Sequence, residues 1–86
     1  MPEISRFLGI ALYMYYSDHR PPHFHARYGE WEAMIAIDDG HVIAGRLPRR
    51  ASALIEEWRR LHRDELHDDW IRAEARLPLH RIDPLE

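Results

Sequence analysis

The residues best suited to chemistry are gathered in one stretch, Asp18-His19-Arg20-Pro21-Pro22-His23-Phe24-His25-Ala26-Arg27. In an extended chain successive side chains point to opposite faces, so His23, His25 and Arg27 share one face and Phe24, Ala26 and Tyr28 the other. Histidine titrates near neutral pH and moves protons, while arginine grips phosphate through a bidentate fork. A metal-independent ribonuclease needs an acid, a base and a cation. His23 and His25 are the candidates for proton transfer and Arg27 for the phosphate. Arg6, Tyr13, Tyr15, His19, Arg49 and Arg50 are the candidates for holding substrate, the tyrosines by stacking on unpaired bases. Beside this stands the plain alternative that His23 and His25 are exposed strand residues and Arg27 a solvated charge.

The same stretch also admits a metal. His19-x3-His23-x-His25 sets two imidazoles on one strand face and a third on the preceding turn. Glu30 or Asp18 is available to complete a donor set suited to zinc, iron or nickel. A His-x-His pair is weakly specific, so the first reading takes no cofactor and a divalent transition metal is the alternative. A third reading is protein binding. A short edge strand, an acidic C-terminal segment and small size suit a subunit completed by a partner or by its own copy in a homo-oligomer. His41, His62, His67 and His80 read as structural or surface residues, and Trp31, Trp58 and Trp70 as core.

The elements that must position these groups follow from periodicity. Ile10, Leu12, Met14 and Tyr16 alternate with Ala11, Tyr13 and Tyr15, the pattern of a first strand. Ser17 to Pro22 makes a turn, since proline fixes its own φ and pushes the preceding residue out of the helical region. A second strand carries His23 to Tyr28, a third Trp31 to Ile37 and a fourth Val42 to Ala44, the last two joined through Asp38-Asp39-Gly40. Pro48 suits the first position of a helix whose apolar stripe is Ala51, Leu54, Ile55, Trp58 and Leu61. Asp64 suits the cap of a second helix, from about Glu65 to Ala75, with Leu66, Trp70, Ala73 and Leu77 inward. Ile82, Pro84 and Leu85 are expected to lie back on the body. The prediction is an α+β domain, an antiparallel meander of three to four strands with two C-terminal helices packed on one face. The opposite face then carries His23, His25 and Arg27, with Tyr13 and Tyr15 as cross-strand neighbours.

Composition sets the outer bounds. A chain of 86 residues is one domain, 1–86, and 45% hydrophobic residues are enough for a core. The absence of cysteine excludes a disulfide framework, a thiolate metal site and a cysteine nucleophile. No apolar run approaches the ~20 residues of a membrane span and no signal-peptide pattern opens the chain, so a cytoplasmic location and no membrane are expected. All 12 basic residues are arginine, and the net charge of −3 argues against a protein that coats DNA. Residues 1–63 hold nine arginines against eight acids, whereas residues 64–86 hold three against seven, so the acidity is a property of the C-terminal segment.

The chain resembles a small bacterial family catalogued as domain of unknown function 4160. The resemblance rests on the opening Met1 to Phe7, Met14-Tyr15, the block from Asp18-His19 to Tyr28-Gly29, Leu47-Pro48-Arg49-Arg50, Trp58 to Leu66, Trp70, and Ile82-Asp83-Pro84-Leu85. It implies a toxin–antitoxin-like pairing with a second small family, hence a co-encoded small protein as partner; RNA as the target class is the expectation from the histidine-arginine face. It carries over no catalytic residue, because none is established for the family.

Overall fold

The computed structural model describes residues 2–86. Five strands form one antiparallel sheet in sequence order: β1 (Glu3–Phe7), β2 (Ile10–Tyr13), β3 (His23–Tyr28), β4 (Trp31–Ala36) and β5 (Val42–Arg46). Two helices follow, α1 (Arg49–Leu61) and α2 (Arg63–Glu74). The α+β meander is as predicted, with one strand more than expected.

The additional strand is β1, which hides from a period-two reading because a bulge interrupts its pairing with β2 between Glu3 and Ser5. A bulge adds a residue on one strand and shifts the inside-outside phase. Ile4, Ser5 and Phe7 are consequently all buried, a pattern that no simple alternation produces. Leu8 and Gly9, both at positive φ, join β1 to β2 in the two-residue geometry that suits a twisted hairpin.

Both helices cover the same face of the sheet. Trp58 of α1 lies wholly buried with its ring 5.9 Å from Phe7 and 5.6 Å from Phe24, and its indole N–H donates to the Asp83 carbonyl at 2.9 Å. Leu66, Trp70 and Ala73 bring α2 into the same core. The C-terminal segment lies back on the body as expected: the Ile82 N–H donates to the Ile4 carbonyl at 2.8 Å, and Leu85 packs against the core. The buried Asp69 carboxylate accepts the His80 N–H at 2.9 Å, and burial pushes its pKa up.

Several details differ from expectation. β2 ends at Tyr13, and the residues to Tyr16 leave the sheet. Leu61 and Leu77 are exposed, and the stripe of α1 that meets the core is Ala51, Leu54, Ile55 and Trp58. Pro48 is the cap of α1 and not its first residue, and α2 starts at Arg63 with no side-chain cap from Asp64. Trp31 is exposed at the β3–β4 turn, where Arg46 lies over its ring at 5.5 Å. Among the described residues no helix is long and apolar enough to cross a membrane.

Candidate functional site on the open sheet face

The face of the sheet away from the helices is organised in cross-strand rows, because paired residues of an antiparallel sheet point the same way. One row runs Arg6, Ala11, Arg27, Glu32, Arg46 from β1 to β5. The next runs Tyr13, His25, Met34, Ala44 across β2 to β5. Arginines therefore stand on alternate strands, about 10 Å apart at the usual strand spacing. The small residues Ala44 and Gly45 lower the floor between the long side chains. The result is an open hollow of about 290 Å³ lined by Tyr13, Tyr15, His25, Arg27, Glu32 and Met34. Gly45 has φ +79°, and a side chain there would meet the Glu32 carbonyl at 2.2 Å, so this close approach of β5 to β4 requires glycine.

The charges of the row are partly compensated. Arg27 donates to Glu32 through Nε at 3.0 Å and Nη2 at 2.7 Å, and its guanidinium lies 5.7 Å over the Tyr13 ring. Arg6 makes the corresponding pair with Glu3, at 3.0 and 2.6 Å. Arg46 has no carboxylate partner among the described residues. Three arginines thus face two glutamates.

At one end of the hollow the turn before β3 folds back over its own strand. The Ser17 N–H donates to the Ala73 carbonyl of α2, which fixes the turn, and Asp18 then reaches the start of β3. Its Oδ2 lies 2.9 Å from His23 Nε2 and 3.1 Å from His25 Nε2. Its Oδ1 accepts the His19 backbone N–H at 2.8 Å. Burial alone would raise the Asp18 pKa, but the bonds from His25 and the His19 N–H prevail and hold it below the ordinary carboxylate value. Burial lowers the His25 pKa, against the opposing pull of Asp18. His25 lies with its ring 4.3 Å from the Tyr15 ring, edge-on.

His23 occupies a different place from the one its alternation suggests. It is buried, not on the open surface, because the Asp18 turn covers the first residue of the strand and Trp70 of α2 packs on its ring at 5.2 Å. Its Nδ1 lies 2.8 Å from the Pro21 carbonyl, so both ring nitrogens are engaged. His19 is exposed and stacks on His23 with centroids 5.1 Å apart. Glu30 lies in the turn at the far end of β3 and is not part of the Asp18, His23, His25 cluster. Arg49 and Arg50, in the first turn of α1, do not line the hollow. The structure thus brings Tyr13, Tyr15, His25 and Arg27 together, with Arg6 on the same face; His23 lies buried behind the hollow with its ring 5.0 Å from that of His25, and Glu30, Arg49 and Arg50 lie apart.

A family model described as "Domain of unknown function (DUF4160)" matches residues 9–71. The chain belongs to this family. The stretch shared with DUF4160 runs from β2 into α2 and contains the Asp18 turn, both histidines of β3, Tyr13, Tyr15, Arg27 and Arg46, whereas Arg6 on β1 lies outside it. Neither the comparison with curated proteins nor that with solved structures gives a match.

Arg46 is the residue of this face that the sequence does not reveal. The strand signal around Val42 to Ala44 fades at Gly45, and only the register of β5 on β4 places Arg46 opposite Glu32.

Proposed function

We propose that the protein binds single-stranded RNA across the open face of its sheet, as the RNA-directed member of a toxin–antitoxin-like pair with a co-encoded small protein. The observation that carries this reading is the pair of adjacent rows, Arg6, Arg27 and Arg46 in one and Tyr13 and His25 in the next. A single strand needs cations spaced along its phosphates and flat side chains on which unpaired bases stack. The ion pairs of Arg27 and Arg6 do not oppose this. Exposed pairs are worth about 0.2–1 kcal/mol, so exchanging a glutamate for a phosphate costs little. His23 has both nitrogens committed, which leaves His25 as the one histidine lining the hollow. One imidazole orients or accepts a proton but does not supply both acid and base, so the proposal is of binding.

The test is fluorescence anisotropy of a labelled single-stranded RNA against the wild type and Tyr13→Ala, Tyr15→Ala and Arg46→Ala variants. Each tyrosine variant is expected to bind about 5- to 150-fold more weakly, the ~1–3 kcal/mol of one base–aromatic stack. Three phosphate contacts give a log–log salt slope of about −2, and Arg46→Ala reduces its magnitude by about 0.7. No binding at low salt, or equal binding by all four proteins, would refute the proposal.

A further inference from the structure

The proton arrangement at the Asp18 corner points to a second kind of ligand. A carbonyl oxygen only accepts, so the 2.8 Å contact between His23 Nδ1 and the Pro21 oxygen puts a proton on Nδ1. In the neutral ring Nε2 then carries a lone pair, and that lone pair faces Asp18 Oδ2 at 2.9 Å. Two acceptors at this distance need a positive centre between them. His25 Nε2 is directed at the same oxygen at 3.1 Å. A cation joining the three groups satisfies this arrangement of donor atoms.

We infer that Asp18, His23 and His25 form a binding site for a divalent transition metal ion of the zinc class, with His23 Nε2, His25 Nε2 and the Asp18 carboxylate as ligands. The three donor atoms lie within 4.8 Å of one another. Bonds of ~2.0–2.1 Å in a tetrahedral site set ligand atoms about 3.3 Å apart, a few tenths of an ångström more than the two Asp18 contacts here. Those two contacts need only a small widening to admit an ion.

The surrounding groups match what a metal centre requires. A ligating histidine usually donates its other N–H to a carbonyl or carboxylate, which fixes tautomer and ring orientation, and Pro21 does this for His23. The His19 N–H holds Asp18 Oδ1 and leaves Oδ2 toward the imidazoles. Trp70 backs the His23 ring, while His25 borders the hollow. Two imidazoles and one carboxylate suit zinc or a neighbouring first-row ion, and three protein ligands leave coordination positions open, the arrangement of reactive rather than purely structural sites. The remaining predicted donors stay outside: His19 is exposed on the rim and Glu30 is at the far end of β3. This inference concerns the metal alone and does not rest on RNA binding.

The experiment is calorimetric titration of the chelator-treated full chain with Zn²⁺, without RNA, repeated with Co²⁺ to read its visible ligand-field absorption. One ion per chain is expected for the wild type, with affinity weakened at least ~100-fold in His25→Ala and Asp18→Asn and unchanged in His41→Ala. Nitrogen NMR of the wild-type imidazoles gives a reading that needs no variant: zinc should shift Nε2 of His23 and His25 while the His23 Nδ1 proton is retained. Absence of stoichiometric binding, equal affinity in the Asp18 and His25 variants, or unshifted His23 and His25 nitrogens on adding zinc would each overturn the assignment. Because RNA is left out, failure here leaves the RNA reading standing, and failure of RNA binding leaves this one standing.

Discussion

Replacing Arg59 with alanine is expected to destabilise the domain by about 2–3 kcal/mol, the cost of taking the hydrogen-bond donor away from a buried carbonyl and one of two arginines away from a partly buried glutamate. Arg59 is 6% exposed and ties α1 to the β4–β5 turn. Its Nη1 donates to the carbonyls of Ile37 at 2.8 Å and Asp38 at 3.2 Å, while Nε and Nη2 form a fork on Glu56 at 2.8 and 2.7 Å. Alanine leaves the Glu56 carboxylate with Arg60 as its remaining arginine, at 2.8 Å, and the buried Ile37 carbonyl without its side-chain donor. For a chain of this size the melting temperature should fall by about 10 °C or more. Arg59→Lys should lie between, since an ammonium keeps the charge and loses the fork.

The same pair makes stability pH-dependent. The hydrogen bonds from Arg59 hold the Glu56 carboxyl below its ordinary value of 4.5. A carboxylate with a depressed folded-state pKa stabilises the fold above its unfolded-state pKa and loses that contribution as the pH falls through the folded one. The wild type should therefore lose stability below pH 4.5, and the gap between it and Arg59→Ala should narrow there. Thermal melts across this range read both effects. Gly40 belongs to the same arrangement: at φ +79° a side chain there would meet Glu56 Oε1 at 2.2 Å and Arg59 Nε at 2.6 Å.

A His23→Phe variant is expected to lose about 2–3 kcal/mol, because the ring still packs on Trp70 while the Pro21 carbonyl and the Asp18 carboxylate each lose a buried partner. His25→Phe, at the half-buried rim of the hollow, should cost less than ~1 kcal/mol. Chemical denaturation distinguishes them as a lowered midpoint with an unchanged slope for His23→Phe. If His23→Phe were as stable as the wild type, packing on Trp70 would be holding the corner and the two ring nitrogens would contribute nothing to it.

Much of the molecule can be read from the chain because its periodicities are clean. Alternation around Phe24 and Ala26 gives β3 and its inward face, the spacing of Ala51, Ile55 and Trp58 gives α1, and Asp38-Asp39-Gly40 gives the turn between β4 and β5. The same alternation puts Tyr13 on the face of His25, and the register then pairs the two. What stays hidden depends on contacts between distant segments. The β1 bulge erases that strand's period, and the phase of Arg6 with it. His23 lies on the open face by parity, yet the Asp18 turn and Trp70 bury it, and neither neighbour is visible from the strand alone. Glu30 is close to His25 in sequence, but an extended strand advances ~3.3 Å per residue and carries it away from the Asp18 corner. Arg46 joins the site only through the register of an edge strand.

The most direct test of the open face as the working surface is a ¹⁵N–¹H NMR titration of the protein with single-stranded RNA, followed by a rise in salt. The account predicts shifts concentrated at Arg6, Tyr13, His25, Arg27, Met34 and Arg46, with α1 and α2 silent and the shifts reversed by salt. Shifts confined to the helices, or none at all, would contradict it.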